Sequence, residues 1–355
     1  MIFTIQQKHL LSALSIASKG KAQSVIIPIL DFYLFKVSLD KVEIIGSNKE
    51  IYISKTIPAT SEQVINLAIP DIRELISKLP EQPVHFEVKD FALTITWDGG
   101  SAKLVCEDGD LFPPITITEA EPIDITGFAE ALNKTSFCIS NNTSTPFDGL
   151  SIDIIPGYAI LTSYGNNTLS TRKIACTATE DFRMLLPRNT AEKLAGLEIT
   201  KIAYDQNAID FVIDDTLFIR SILLDMTFPD FKSKLALNQD KVLKIEAGSI
   251  RNSIDIVRLM ANKLSQFIGL YLGDKSFAKG SDKEFATDAK QLLDGEYTGE
   301  DFIIGCNGQF LYTALCKTEG KVYLYFADPK TPIIIRETED NTTLDNLMIV
   351  MPIAI

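Results

Sequence analysis

The chain has 355 residues, of which 46% are hydrophobic and 23% charged, an ordinary globular balance with room for two or three domains. Five cysteines (Cys106, Cys138, Cys176, Cys306 and Cys316), odd in number, widely spaced and without a CxxC pair, argue against a disulfide framework and a zinc site and read as buried free thiols. The net charge of −13 argues against a nucleic-acid-binding protein unless the positive charge is segregated on one surface.

The start, Met1-Ile2-Phe3-Thr4-Ile5, lacks the basic stretch and long apolar run of a signal peptide. No run is long and apolar enough for a transmembrane helix, so a soluble cytoplasmic protein with no membrane partner is expected. Phe3-Thr4-Ile5 reads as a strand leading into a helix over 8–23, with Leu10, Leu11 and Leu14 on its apolar face. A strand follows over Lys41 to Ile45. Leu67-Ala68-Ile69-Pro70 opens a helix over 70–80, since proline is cheap in a first turn whose N–H has no partner. Phe86 to Trp97 reads as a strand. Glu107-Asp108-Gly109-Asp110 lacks the full spacing of a calcium loop and reads as a turn. Phe112-Pro113 closes the unit, and 113–122 is a linker rich in Pro, Thr and Glu.

The same order then recurs. Ile123-Asp124-Ile125 leads to Phe128 and Leu132 on a helix over 126–140, and a strand spans Tyr158 to Thr162. Met184-Leu185-Leu186-Pro187 opens a helix over 187–197, followed by a strand over Ile209 to Ile213 and by Phe228-Pro229. Leu243-Lys244-Ile245 leads to Ile250 and Ile254 on a helix over 248–264. Ile303-Ile304-Gly305-Cys306 opens a helix over 307–317. Strands over Val322 to Phe326 and Pro332 to Arg336 precede the closing Met351-Pro352. The three landmarks share a period near 119 residues, the signature of a structural repeat. The expected divisions are 1–120, 121–241 and 242–355. Alternating strands with helices segregated to one face of largely antiparallel sheets make an α+β fold.

Charge is unevenly placed. The six helices carry Lys8, Lys19, Lys21, Arg73, Lys78, Lys134, Arg188, Lys193, Arg251, Arg258, Lys263 and Lys317 against five acidic residues, a net +7, which leaves −20 for the remainder. Helices sharing one concave surface would make it basic on an acidic body, attracting phosphates without reading sequence. Catalytic signatures are missing: His9 and His85 stand in no HExxH or triad context, and there is no glycine-rich phosphate loop. A non-enzymatic protein without cofactor is expected.

Several segments in order resemble one family. Met1-Ile2-Phe3-Thr4-Ile5 with His9-Leu10-Leu11, Ile27-Pro28-Ile29-Leu30, Asp148-Gly149-Leu150, Thr227-Phe228-Pro229-Asp230-Phe231 and Ile349-Val350-Met351-Pro352-Ile353 resemble segments of the bacterial DNA polymerase III beta subunit, the sliding clamps. The resemblance covers the whole chain. It implies three repeated domains of the DNA-clamp fold, two copies joined head to tail into a ring, helices lining the hole and antiparallel sheets forming the outer wall. It implies double-stranded DNA, bound without sequence preference through the twelve basic residues above, as one partner. The replicative polymerase, the clamp loader and repair proteins would be others, held by short motifs containing Gln, Leu and Phe. Their pocket would be walled by Phe147, Ser163, Gly165, Thr168, Pro229, Pro332, Ile349, Met351, Pro352 and Ile353, and the joint between copies would use Leu104, Leu259 and Met260. Three departures bear on peptide preference. Ser163-Tyr164-Gly165-Asn166-Asn167-Thr168 stands where the family has Thr-Asp-Gly-His-Arg-Leu, Lys232-Ser233-Lys234 where it has two basic residues and a hydrophobe, and Ala354 where it has a basic residue. The alternative is an interaction scaffold of the same fold that does not encircle DNA.

Overall fold

The computed structural model describes residues 2–21, 27–115, 118–140, 145–165, 167–231, 235 and 239–354. The first third of the chain comprises β1 (Ile2–Gln6), α1 (Gln7–Ala17), β2 (Tyr33–Val37), β3 (Lys41–Ser47), β4 (Ile51–Pro58), β5 (Thr60–Ser61), β6 (Ile65–Ile69), α2 (Arg73–Ser77), β7 (Pro83–Lys89), β8 (Ala92–Trp97), β9 (Gly100–Val105) and β10 (Glu107–Asp108). The middle third comprises β11 (Ile123–Asp124), α3 (Phe128–Thr135), β12 (Gly149–Ile155), β13 (Tyr158–Gly165), β14 (Thr168–Ala175), β15 (Phe182–Pro187), α4 (Arg188–Leu194), β16 (Lys201–Tyr204), β17 (Ala208–Asp214) and β18 (Leu217–Ile222). The last third comprises β19 (Lys241–Glu246), α5 (Ala247–Leu259), β20 (Phe267–Leu272), β21 (Phe277–Asp282), β22 (Thr287–Leu292), β23 (Gly295–Thr298), β24 (Phe302–Asn307), α6 (Gly308–Leu315), β25 (Lys321–Phe326), β26 (Ile333–Arg336), β27 (Leu347–Val350) and β28 (Pro352–Ile353).

One pairing scheme serves all three thirds. The opening strand pairs with the strand after the second helix: β1 with β7, β11 with β16, β19 with β25. The strand after the first helix pairs with the strand before the second: β2 with β6, β12 with β15, β20 with β24. Antiparallel meanders complete each set, so every third builds two four-stranded ribbons, one ending at β4, β14 or β22 and the other at β9, β18 or β27.

The ribbons of successive thirds then join edge to edge. β18 pairs with β4 from Leu217↔Lys55 to Ser221↔Ile51, and β14 pairs with β27 from Thr168↔Val350 to Thr171↔Leu347. The resulting sheets fall into two compact units, residues 1–125 with 197–223 and residues 126–196 with 224–355. The first unit holds a nine-stranded sheet, β10-β6-β2-β3-β4-β18-β17-β16-β11, and a five-stranded sheet ending at β9. The second holds a nine-stranded sheet, β15-β12-β13-β14-β27-β26-β25-β19-β23, and a five-stranded sheet, β22-β21-β20-β24-β28. These compact units follow the sheets, whereas the expected divisions near 120 and 241 follow the repeat along the chain.

The helices are shorter than their apolar periodicity suggests. In α1, Leu10, Ala13, Leu14 and Ala17 are buried at the i, i+3, i+4, i+7 spacing of one face, and α5 buries Ile250, Ile254 and Val257 likewise. Both end where a carbonyl presses on a strand glycine. A Cβ on Gly46 would lie 2.0 Å from the Ala17 carbonyl oxygen, and one on Gly280 would lie 2.2 Å from that of Val257. Gly280→Ala is therefore expected to lower the free energy of unfolding by about 1–3 kcal/mol, the cost of forcing α5 off its strand. Urea unfolding would read this, and a midpoint equal to the unaltered chain's would refute the contact. In α2 the side chain of Asp71 accepts the Arg73 N–H and Pro70 stays outside the helix, so 70–80 contracts to five residues. The tail of the expected 8–23 helix at residues 22 and 23 lies outside the described residues.

Two other readings change. Phe86 to Trp97 is a hairpin, β7 turning into β8 through Asp90 and Phe91, both at positive φ (51° and 61°). A two-residue turn with left-handed backbone at both positions favours Asn-Gly, and phenylalanine in the second hides it from a sequence scan. Of the cysteines, Cys106, Cys138 and Cys306 are buried, and burial pushes the thiols of Cys138 and Cys306 up to about 12. Cys176 is half-buried, and Cys316 is exposed because it stands at the C-cap of α6, past the apolar face. Of the acidic stretch expected as a turn, Glu107 and Asp108 form β10 against β6, and the turn begins at Gly109, where an Asp108 carboxylate oxygen accepts the Asp110 N–H at 3.0 Å. Among the described residues no helix is long and apolar enough to cross a membrane.

Candidate peptide pocket and basic helix faces

β14 and β27 run side by side in the second unit, and a cavity of about 340 Å³ opens beside them. Strand alternation decides which side chains reach it. Ile349 belongs to the apolar cluster that contains Leu169, whereas its neighbour Val350 packs on the opposite face, in the core of the last third. Past the strand, Met351 reaches the cavity and is fixed there by its N–H, which donates to the Asn167 carbonyl at 2.9 Å. Asn167 sits at φ 59° in the turn between β13 and β14, a conformation that asparagine adopts more readily than most residues.

Six of the ten residues expected to wall a pocket lie on this cavity: Phe147, Thr168, Pro229, Pro332, Ile349 and Met351. Four do not. The Ser163 hydroxyl donates to the Thr135 carbonyl at the end of α3, behind the wall. Gly165 lies where any Cβ would meet the Cys138 carbonyl at 2.5 Å, and its own carbonyl accepts from the Thr168 hydroxyl. Pro352 and Ile353 form β28 and pair with Cys306 and Gly305 of β24. Six lining residues were missed: Tyr164, Leu169, Phe228, Asp230, Phe231 and Leu235. Phe228, Asp230 and Phe231 stand in the same Phe-Pro-Asp-Phe motif as Pro229, which was the available signal. Asn166 and Lys232-Ser233-Lys234 lie outside the described residues.

The lining is mainly apolar. Phe147 meets Tyr164 edge to face at 4.9 Å between centroids and Phe228 at 6.3 Å. Thr168 contributes a hydroxyl that is already engaged, and Asp230 is exposed. An apolar lining with few polar groups suits apolar side chains of a guest. A larger cavity of about 680 Å³ lies around Gly273, Asp274, Asp294 and Asp301, where Leu292, Leu293 and Tyr297 stand among carboxylates, and none of the ten residues expected to wall a pocket lines it. Among the described residues no group of three or more His, Cys, Asp or Glu side chains could hold a metal ion.

The twelve basic residues divide by what holds them. Lys21 is largely buried between Asp31 and Asp71 and over the Tyr33 ring, and burial pulls its pKa down against the attraction of those carboxylates. Arg73 grips Asp71 with two nitrogens. Burial pushes that carboxyl up, but Arg73 and Lys21 hold it below the usual carboxylate range. Lys134 bonds both oxygens of Glu337, Arg188 pairs with Glu192, Arg258 with Asp255, and Lys8 loosely with Glu81. Arg251 donates to the carbonyls of Leu315 and Thr318 and so caps the end of α6, and Lys317 donates to the Asn133 side chain. Lys193 is half-buried with interactions of its own. Lys19, Lys78 and Lys263 are exposed.

Of the residues expected at a joint between copies, Leu104 lies on β9, half-buried against the first core. Leu259 is 64% exposed and Met260 41% exposed at the end of α5. Leu264, Phe285 and Leu292 add exposed apolar surface nearby in the chain, and Phe91 and Val105 do so around β9. Both β9 and β22 are open sheet edges.

Two family models match the chain. The DNA polymerase III beta subunit, N-terminal domain, matches residues 1–106, and the C-terminal domain of the same subunit matches residues 233–352. Among curated proteins the chain is similar to the beta sliding clamp of Rickettsia bellii, 24% identical over 99% of each chain. It is 22% identical to that of Bacillus subtilis, over 98% of this chain and 99% of the other. In fold it is similar to the DNA polymerase sliding clamp of Bacillus subtilis, with a TM-score of 0.93 and 21% identity over 100% of this chain and 99% of that one. It is also similar to the DNA polymerase III subunit beta of Pseudomonas aeruginosa crystallised with griselimycin, with a TM-score of 0.92 and 18% identity over the whole of both chains.

Proposed function

As a member of the DNA polymerase III beta subunit family, the chain is a DNA sliding clamp, and we propose that it works as a ring of two copies held head to tail around duplex DNA. The observation that carries the ring is the pairing rule. Within the chain, the end strand of one third's first ribbon joins the end strand of the next third's second ribbon, as β4 joins β18 and β14 joins β27. Two ends are left over, β22 and β9. Applied once more, the rule places β22 of one copy on β9 of another, and two such joints close a dimer of six repeated domains, cut near residues 120 and 241. Unpaired edges invite strand addition, and the exposed apolar residues around both edges favour it. Leu104, Leu259 and Met260 are assigned to this joint.

In this reading the basic helix faces turn toward the DNA and hold it by topology rather than by tight contacts. Phosphate contacts carry no sequence information. Lys19, Lys78 and Lys263 serve as mobile phosphate contacts, while Lys21, Arg73, Lys134, Arg188, Arg251 and Arg258 are held by protein groups and set a fixed local field. That engagement is also what favours the second reading, a scaffold of the same fold that does not encircle DNA. The cavity at Met351 holds the polymerase, the loader or a repair protein by a short Gln-, Leu- and Phe-containing motif. The clamp itself is assigned no catalytic step.

Light scattering over a dilution series tests the ring. The subunit is 39.3 kDa, and a species of about twice that mass that persists on dilution is expected. A stable monomer would remove the ring and leave the scaffold reading.

A further inference from the structure

The five-stranded sheet of the last third is apolar where polar residues are expected. On one face Ile268, Leu270, Ala278 and Ile304 pack with Ile254 and Val257 of α5 in a single core. Alternation sends their neighbours to the other face, which in a half-solvated antiparallel sheet is ordinarily polar. There Ile303, Tyr271, Phe277 and Leu292 stand directly opposite one another across β24, β20, β21 and β22. Four strands at their usual spacing make this row about 14 Å long. The rings of Tyr271 and Phe277 stack at 4.6 Å and 7°. Ile303 is 45% and Leu292 60% exposed. Single exposed apolar residues are ordinary, but four in register form a patch of the kind that marks an interaction surface.

The charge beside the row is negative. Leu292 also lines the cavity of about 680 Å³, where Asp274, Asp294 and Asp301 are exposed and, among the described residues, form no ion pair. On the row's other side stand Lys279 and Lys290, opposite one another, and both are engaged. Lys279 pairs with Asp288 at 3.2 Å, and the Lys290 ammonium lies 3.7 Å from the centre of the Phe277 ring. We infer that this face is a second docking surface, for a segment of another protein whose apolar side chains lie along the row and whose arginine or lysine enters the carboxylate-lined cavity. A second copy of this chain, at −13, matches those carboxylates poorly. The surface shares no lining residue with the cavity at Met351, so it stands apart from the peptide pocket proposed there.

The test pans a phage-displayed random dodecapeptide library on the full chain carrying Met351→Arg, which weakens capture at the other cavity. Counter-selection uses the same chain with Tyr271→Ser and Ile303→Ser added. Peptides specific to the row are expected to combine large apolar residues with arginine or lysine. A labelled peptide so selected is then measured by fluorescence anisotropy on the unaltered chain. Tyr271→Ser with Ile303→Ser should weaken it about tenfold or more. Citrulline in place of its arginine, or acetyl-lysine in place of its lysine, should weaken it roughly two- to fivefold. No enrichment on the row, or a consensus carrying acidic residues, would overturn the inference. Equal binding of the neutralised peptide would overturn it as well, and that comparison does not depend on any variant folding. A species heavier than two subunits in light scattering, lost in Ile303→Ser, would give the face to a second copy and overturn the assignment to another protein.

Discussion

Arg220→Ala is expected to lower the free energy of unfolding by about 3–5 kcal/mol at neutral pH, the usual cost of stranding a buried charge. One guanidinium nitrogen of Arg220 lies 2.8 Å from both carboxylate oxygens of Asp210, and Asp210 is almost wholly buried. The same carboxylate accepts the Thr118 N–H at 3.0 Å. Burial pushes the Asp210 carboxyl above its ordinary range even with Arg220 and Thr118 pulling it down. Without the guanidinium it must rise further, so the folded state prefers the protonated acid. The sign follows from linkage. A carboxyl whose folded pKa exceeds its unfolded value of about 3.9 costs least where it is protonated, and the cost grows as pH rises through that window. The deficit of the variant should therefore be larger at pH 7.5 than at pH 4.5. Urea midpoints at the two pH values measure it, and a deficit that is small or independent of pH would show that Asp210 finds another partner.

Met351→Arg should weaken partner capture by roughly thirtyfold or more while leaving the fold intact. Met351 lies beyond the last hydrogen-bonded pair of β27, is 36% exposed, and is held through its backbone N–H rather than its side chain. Its side chain nonetheless forms part of the cavity wall. Losing one anchoring contact at the centre of such a pocket costs about 2 kcal/mol or more, roughly a thirtyfold weakening. An arginine there adds the desolvation of a cation against aromatic rings. Peptide affinity and stimulation of a replicative polymerase should fall together, while native mass and the urea midpoint stay unchanged. Retained stimulation alongside lost peptide binding would place the polymerase contact elsewhere on the surface.

Much of the architecture is legible in the sequence because it rests on local rules. Apolar spacing along α1 and α5 marks buried helix faces. Pro187 marks the start of α4, and Phe228-Pro229 and Met351-Pro352 mark the ends of units. What escapes a linear reading depends on distant partners. Gly46 and Gly280 look like ordinary strand residues until the carbonyls of Ala17 and Val257 are seen pressing on them. Lys21 and Arg73 count as free positive charge until Asp71 is found between them. The same holds for the pocket. Tyr164 stands within a departure from the family pattern, yet its ring packs against Phe147. Pro352 and Ile353 share a motif with Met351 but turn away into a different sheet, which only the pairing with β24 reveals.

The joint between β14 and β27 has a consequence for how the molecule comes into being. Thr171 must wait for Leu347, and until it does, β14 presents a row of unpaired amides and carbonyls flanked by side chains meant for the interior. Contacts so far apart along the chain form late and slow folding, so a half-built subunit is prone to clumping with its neighbours. The same delay keeps the Met351 cavity from existing early, since one wall comes from Phe147 and Tyr164 and the other from Ile349 and Met351. A segment held there, as proposed above, would meet only subunits in which both walls have already come together.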